Sequence, residues 1–229
     1  MTWIRSRQGS LFLEYTESMK TTVYIDGQNF LYKASEILIL AGCINNKQDL
    51  FKLDIEGIIK NIIKSEDLHI RFYGARVRVR KDKGDDIYIK SRAFSDNSRK
   101  LKNNINKQNI EYVESGKLKL RDSDICKKCG AQDLRFQEKG VDVGMAVDMI
   151  VDSFSVDDGQ IVLVSSDTDL IPAIKSIVSR GTEITYLGFS DKLTKGIVSE
   201  ASKTETIRDT EIIDAFNRLN PQTLLLSDS

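Results

Sequence analysis

Apolar and polar residues alternate along this chain with two different periods, and the change from one to the other recurs. Thr21-Thr22-Val23-Tyr24-Ile25 is a β-favouring run that stops at Asp26-Gly27-Gln28-Asn29. From Phe30 to Leu40 the period becomes helical, with Phe30, Leu31, Ala34, Ile37 and Leu38 on one side. Asp54 caps a second predicted helix over Ile55 to Ile63. Leu68 to Val79 reads as a strand, Ser91 to Gln108 as a basic helix, and Ile110 to Val113 with Lys117 to Leu120 as a strand pair turned at Ser115-Gly116. The most informative stretch runs from Lys139 to Ile174. Val143, Ala146, Val147 and Ile150 predict an amphipathic helix from Val141 to Phe154, and Asp157-Asp158-Gly159 a turn. Ile161 to Val164 is continuously apolar, as in a parallel strand covered on both faces. Ser165-Ser166-Asp167-Thr168-Asp169 follows, and Pro172 marks the first turn of the next helix. Thr182 to Leu187 predicts a strand, Asp191 to Ala201 a helix, Glu205 to Arg208 a short strand and Thr210 to Leu219 a last helix.

Strands alternating with helices predict an α/β fold: three layers, α/β/α, around a mostly parallel sheet. Residues 1–19 read as an N-terminal extension, 20–220 as one domain and 221–229 as a polar tail. The domain carries a basic segment at 76–121 and a Cys-x-x-Cys loop at 122–138. Right-handed crossovers bring the strand C-termini to one edge, where open α/β sheets bind ligands. Asp26 and the Asp167/Asp169 pair would meet there if their strands are neighbours. Asp142 opens the central helix and is the favoured partner; Asp148, about 240° further round, is a secondary candidate that would help from the side. Like charges in one crevice raise one another's pKa, a penalty that a divalent cation removes, and an all-oxygen set suits Mg²⁺ or Mn²⁺. Asp26, Asp142, Asp167 and Asp169 are therefore the candidate ligands, with Asn29 as a polar neighbour able to orient a carboxylate, water or phosphate oxygen.

Charge adds a substrate to this picture. The chain is neutral overall, but residues 76–139 hold 18 Lys and Arg against 10 Asp and Glu, a net +8, and residues 140–229 hold 7 against 15, a net −8. Such polarity suits a polyanion held against carboxylates that need a cation. Arg76, Arg78 and Arg80 share one face if their strand is extended, and Lys100 and Lys102 lie on the basic helix; all five are candidates for gripping RNA phosphates. A solvated surface or an edge strand charged against aggregation would carry the same residues.

Composition excludes other chemistries. A single histidine, His69, rules out a two-histidine acid–base ribonuclease and the multi-histidine zinc hydrolases. P-loop, dinucleotide-binding and serine-hydrolase motifs are absent from the sequence. Cys126-Lys127-Lys128-Cys129-Gly130 is half of a zinc ribbon. Cys126 and Cys129 would bind Zn²⁺ only with other residues, or with a second copy of the chain in a homodimer. No apolar run approaches membrane-spanning length, and residues 1–20 lack the pattern of a signal peptide. With three cysteines among many Lys and Asp, a reducing cytoplasm is the expected compartment.

Ile25-Asp26-Gly27-Gln28-Asn29, Lys139 to Ile150 and Ser165 to Ile174 together resemble the NYN-domain (LabA-like) branch of the PIN-like ribonucleases. The resemblance spans about residues 20–190 and implies a compact α/β/α fold and a metal-dependent nuclease acting on RNA. It implies that Asp26 is the first-strand metal-binding acid, Asn29 its neighbour, Asp142 the helix-start acid, and Asp167 and Asp169 the acids of the last block. The long basic stretch from Arg76 to Lys107 departs from the family pattern. The expected activity is hydrolysis of single-stranded RNA that leaves a 5′-phosphate. The alternatives are a nucleic-acid-binding regulatory module without turnover and, behind it, a phosphohydrolase of small substrates. Helix and turn capping alone would also account for individual Asp residues.

Overall fold

Seven strands form one sheet in the order β6-β5-β4-β3-β7-β8-β9. The computed structural model describes residues 2–5, 11–14, 20–46, 50, 52–65, 67–82, 84–122, 134–154 and 159–221, with the backbone alone at 2–5, 11–14, 122 and 134. β1 (Thr2–Arg5) and β2 (Leu11–Glu14) pair as a separate antiparallel ribbon. The main sheet comprises β3 (Thr21–Asp26), β4 (Leu68–Arg76), β5 (Ile110–Asp122), β6 (Leu134–Lys139), β7 (Gln160–Val164), β8 (Ile184–Phe189) and β9 (Lys203–Ile207). Every neighbouring pair in it is parallel except β5 with β6. The predicted α/β class and mostly parallel sheet are therefore the observed ones.

The period of two along each strand divides the core between two faces. Val23, Ile25, Phe72, Val162 and Val164 point to one side, under α1 (Gly27–Leu40), α2 (Ile55–Ile62) and α7 (Asp209–Leu219). Leu101 and Ile105 of α3 (Asp85–Ile105) join the same cluster. Tyr24, Tyr73, Ile161, Leu163 and Tyr186 point to the other side, under α4 (Val141–Asp152), α5 (Ile171–Val178) and α6 (Lys195–Val198). Each fully buried aliphatic side chain of this kind contributes about 1.5–3 kcal/mol relative to its exposed state.

Four expectations are corrected. First, α4 buries Val141, Met145 and Met149, whereas Val143, Val147, Val151 and Phe154 are exposed. The helix is apolar on most of its circumference, so periodicity identified the helix but not the face turned to the sheet. Second, β4 ends at Arg76 and residues 77–80 are not extended into the ladder, so Arg76, Arg78 and Arg80 do not form one strand face. Third, Ser115-Gly116 is not a hairpin turn but a bulge inside a single long strand. Gly74 of β4 faces Glu114 and Arg76 faces Lys117, leaving an extra residue on β5. Gly116 takes φ 68°, and a side chain there would run into the backbone of Lys139. The predicted helix over Asp191–Ala201 shrinks to the single turn of α6.

Candidate functional site

The register of the central strands builds the site. Ile25 of β3 lies beside Val164 of β7, so Asp26 and Ser165 leave their strands side by side. Asp26 is at once the last residue of β3 and the N-cap of α1, its Oδ1 accepting the Asn29 amide at 3.1 Å. The Ser165 hydroxyl donates to Asp26 Oδ2 at 3.0 Å and receives the Asp167 amide at 3.1 Å. Asn29 bridges to the same loop, donating from Nδ2 to Ser166 Oγ at 2.8 Å and accepting the Ser166 amide at 3.3 Å. Thr194, the N-cap of α6, closes it by donating to the Ser166 carbonyl at 3.2 Å. Asp167 caps a short 3₁₀ turn over Thr168–Leu170 by accepting the Asp169 amide at 2.9 Å.

The β5 bulge brings in the other side. Where β5 steps out of register, the corner between β6 and α4 packs onto Gly116, and Gly140 makes the left-handed entry into α4 at φ 83°. Asp142 then falls in the first turn of α4. Glu138, two residues before that corner, accepts a hydrogen bond from the Ala75 amide. A cavity of about 670 Å³ is the result, lined by Asp26, Glu138, Asp142 and Asp167 together with Asn29, Ser166, Lys33 and Lys192.

The electrostatics follow from crowding. Burial pushes the Asp26 carboxyl up from its usual range, and the charges of Asp167 and Asp142 push it further, against the Asn29 and Ser165 hydrogen bonds. Glu138 is pushed up to about 7 by burial first, then by Asp26 and Asp142, with only the Ala75 amide acting the other way. All donors are oxygens, the chemistry that suits a hard divalent cation. Among the described residues no group of three or more His, Cys, Asp or Glu is arranged to hold a metal ion as it stands. Any ion here would rest on one or two carboxylates, with water or phosphate oxygens completing its shell, as Mg²⁺ usually does.

Of the residues singled out from sequence, the fold brings Asp26, Asn29, Asp142 and Asp167 to this cavity. Asp169 is exposed on the 3₁₀ turn and does not line it. Asp148 is engaged elsewhere: its Oδ2 accepts from Tyr73 at 2.8 Å and from Arg71 at 3.3 Å, while Asp152 takes Arg71 at 3.0 Å and the Tyr24 hydroxyl. Arg76 and Lys102 both pair with Glu114, at 3.2 and 2.9 Å, and Arg80 pairs with Asp82 at 2.9 Å. Arg78 and Lys100 are exposed, and none of these five basic residues lines the cavity. Cys126 and Cys129 lie outside the described residues. Sequence reasoning missed Glu138, Lys33, Lys192 and Ser165. For Glu138 a signal existed: in Leu134-Arg135-Phe136-Gln137-Glu138-Lys139 the acid stands in the phase of Leu134 and Phe136.

A mostly parallel α/β/α domain that gathers carboxylates at the C-terminal edge of its sheet has the architecture of the PIN-like nucleases. Within that class the chain belongs to the NYN domain family, whose profile matches residues 20–208. Among solved structures, the crystal structure of VPA0982, a protein of unknown function from Vibrio parahaemolyticus, is similar in fold. The TM-score is 0.50 at 18% identity, covering 85% of this chain and 96% of that one. No curated protein matches the chain. Among the described residues no helix is long and apolar enough to cross a membrane.

Proposed function

We propose that this protein is a divalent-metal-dependent ribonuclease that hydrolyses phosphodiester bonds of single-stranded RNA. The supporting observation is the convergence of Asp26, Glu138, Asp142 and Asp167 on one cavity that Lys33 and Lys192 also line. One or two of the Asp26, Asp142 and Asp167 carboxylates would hold Mg²⁺ or Mn²⁺, which when bound supplies Lewis-acid polarisation of the phosphoryl group and lowers the pKa of water. Lys33 and Lys192 attract the phosphate. Glu138, with its pKa near neutrality, accepts the proton of the attacking water as its oxygen bonds phosphorus and the P–O3′ bond breaks; the 3′ oxygen leaves as a hydroxyl protonated from solvent, and the phosphate stays on the 5′ end of the other fragment. Asn29 and Ser165 fix the two loops so that the acids keep their spacing. Asp169 acts through its amide, which orients Asp167, rather than as a ligand.

A second reading, an RNA-binding module without turnover, draws on the lack of any three-residue metal cluster among the described residues. Cleavage of end-labelled single-stranded RNA with Mg²⁺, Mn²⁺ or EDTA separates the two, with Asp167→Asn as the comparison. Metal-dependent cleavage that Asp167→Asn removes supports the nuclease; salt-sensitive binding by both proteins with no cleavage by either supports the module.

A further inference from the structure

A second cavity of about 410 Å³ opens between α1 and α3, over the end of β4. It is not a separate hole, because Gln28, Tyr32 and Glu138 line both it and the acidic cavity. Its character is different. Phe72 and Tyr112 form a stacked pair at its floor, with ring centroids 5.8 Å apart and planes at 25°. Phe94 of α3 and Tyr32 of α1 stand at its walls with 46% and 49% of their surfaces exposed. Phe94 is steadied from behind by Phe136, at 5.1 Å and 59°. A half-exposed ring held in place beside an apolar opening has a face to offer, and stacking is what such a face does best.

We infer that this aromatic cleft is a nucleobase site, receiving the unpaired base that adjoins the phosphodiester held in the acidic cavity. The inference rests on the nuclease reading for its neighbour, and four features of the cleft specify the occupant. The volume is within the range of about 300–1,000 Å³ typical of small-ligand sites. The walls are apolar and aromatic, which suits the flat face of any base and gives affinity with little sequence preference. The side-chain amides of Gln28 and Asn97 reach the same cleft, form no hydrogen bond with another described residue, and each offers a donor and an acceptor to a base edge. Continuity with four carboxylates disfavours an anionic or fatty ligand but suits a base on the same strand as the phosphate. A base can enter only if it is unstacked and unpaired, so the cleft selects single strands over duplex.

The test uses the full chain and an RNA oligonucleotide with 2-aminopurine at one position, moved stepwise along the strand. Binding is read with the Asp167→Asn variant, which is expected to bind without cutting. Fluorescence should be quenched most at one position next to the cleavage site. Adding Phe94→Ala should remove the quenching and weaken binding by about tenfold, whereas Phe94→Trp, which keeps a stacking face, should retain both. In the wild-type background Phe94→Ala should raise KM more than it lowers kcat, and an abasic nucleotide at the same position should mimic it. Unchanged quenching and KM in a folded Phe94→Ala protein, with Asp167-dependent cleavage intact, overturns the base site and leaves the nuclease standing. Phe94-dependent quenching in a protein that cuts no RNA keeps the base site and removes the nuclease. Quenching at no position overturns the base site whether or not RNA is cut.

Discussion

The Ser165 hydroxyl ties Asp26 to the loop that carries Asp167, donating to one acid and receiving the backbone amide of the other at 3.0 and 3.1 Å. Ser165 is buried, and among the described residues no second side chain donates to Asp26. Ser165→Ala leaves Asp26 Oδ2 without its donor and lets the two acids drift. Cleavage is expected to fall by about tenfold, the equivalent of one hydrogen bond to a charged group. The fall should appear in kcat with little change in melting temperature, and Ser165→Thr should recover part of it. Equal rates for Ser165→Ala and wild type would mean that the bond is structural only.

Two aspartates singled out from the sequence should separate cleanly. Asp26→Asn removes a cavity acid and is expected to lower cleavage by about a hundredfold or more while RNA binding persists. Asp148→Asn acts in a different place. It weakens the grip on Arg71, whose guanidinium also lies 5.7 and 5.5 Å from the ring centres of Tyr24 and Tyr73. That network pins α4 to β3 and β4, so a stability loss of about 1–3 kcal/mol is expected, with cleavage per folded molecule unchanged. Urea denaturation and rates normalised to the folded fraction distinguish the two. A large loss of turnover in a fully folded Asp148→Asn protein would put that residue back in the site.

The difference between Asp26 and Asp148 also shows how far the sequence could be read. A continuously apolar strand ending in an acid places that acid at the sheet edge whatever the rest of the chain does, so Asp26, Asp167 and the parallel core were legible from local pattern alone. α4 was legible as a helix, but its rotation was not. Val143, Val147, Met145 and Met149 are all apolar, and only the tertiary fit decides that the methionines face Tyr24 and Tyr73. Glu138 depended on a non-local event, the bulge at Gly116 that admits the β6–α4 corner, and a glycine after a serine looks the same in a turn as in a bulge. The pairing within the basic stretch was partly hidden for a related reason. Arg76 and Lys102 meet at Glu114, a partner whose proximity no local window reveals, while Arg80 pairs with Asp82 two residues on.

Glu138 gives the metal-free protein a pH dependence of stability opposite to that of most carboxylates. In the unfolded chain it releases its proton near 4.5, in the folded site near 7. Between those values the folded state holds a proton that the unfolded state has lost, so stability falls as pH rises through this window and levels off above it. Glu138 remains partly exposed, and solvent screening reduces the effect to about 1–2 kcal/mol. Glu138→Gln should flatten the profile between pH 5 and pH 7.5 and should be more stable than wild type at the upper end. Parallel melting curves in EDTA for both proteins across that range check this; a wild-type profile that rises with pH would contradict the crowding of acids around Glu138.

The same crowding predicts how the site meets a cation. Mg²⁺ or Mn²⁺ relieves repulsion that grows as Glu138 ionises, and a proton on Glu138 stands in for part of that relief. Metal should therefore raise the melting temperature more at pH 7.5 than at pH 5.5. At a metal concentration one hundred times Kd the added stability is about 2.7 kcal/mol. Asp26→Asn and Asp167→Asn should each reduce the shift, because each removes a donor from a shell that has only one or two carboxylates to spare. Asp169→Asn should leave it unchanged, since the Asp169 carboxylate does not line the cavity and its amide still orients Asp167. Thermal melts without metal and with free metal at about five times Kd, worth about 1 kcal/mol by the same relation, give the readout without any nucleic acid. A shift that depends on Asp169 as strongly as on Asp26 would relocate the cation to the outer turn and make Asp169 the ligand.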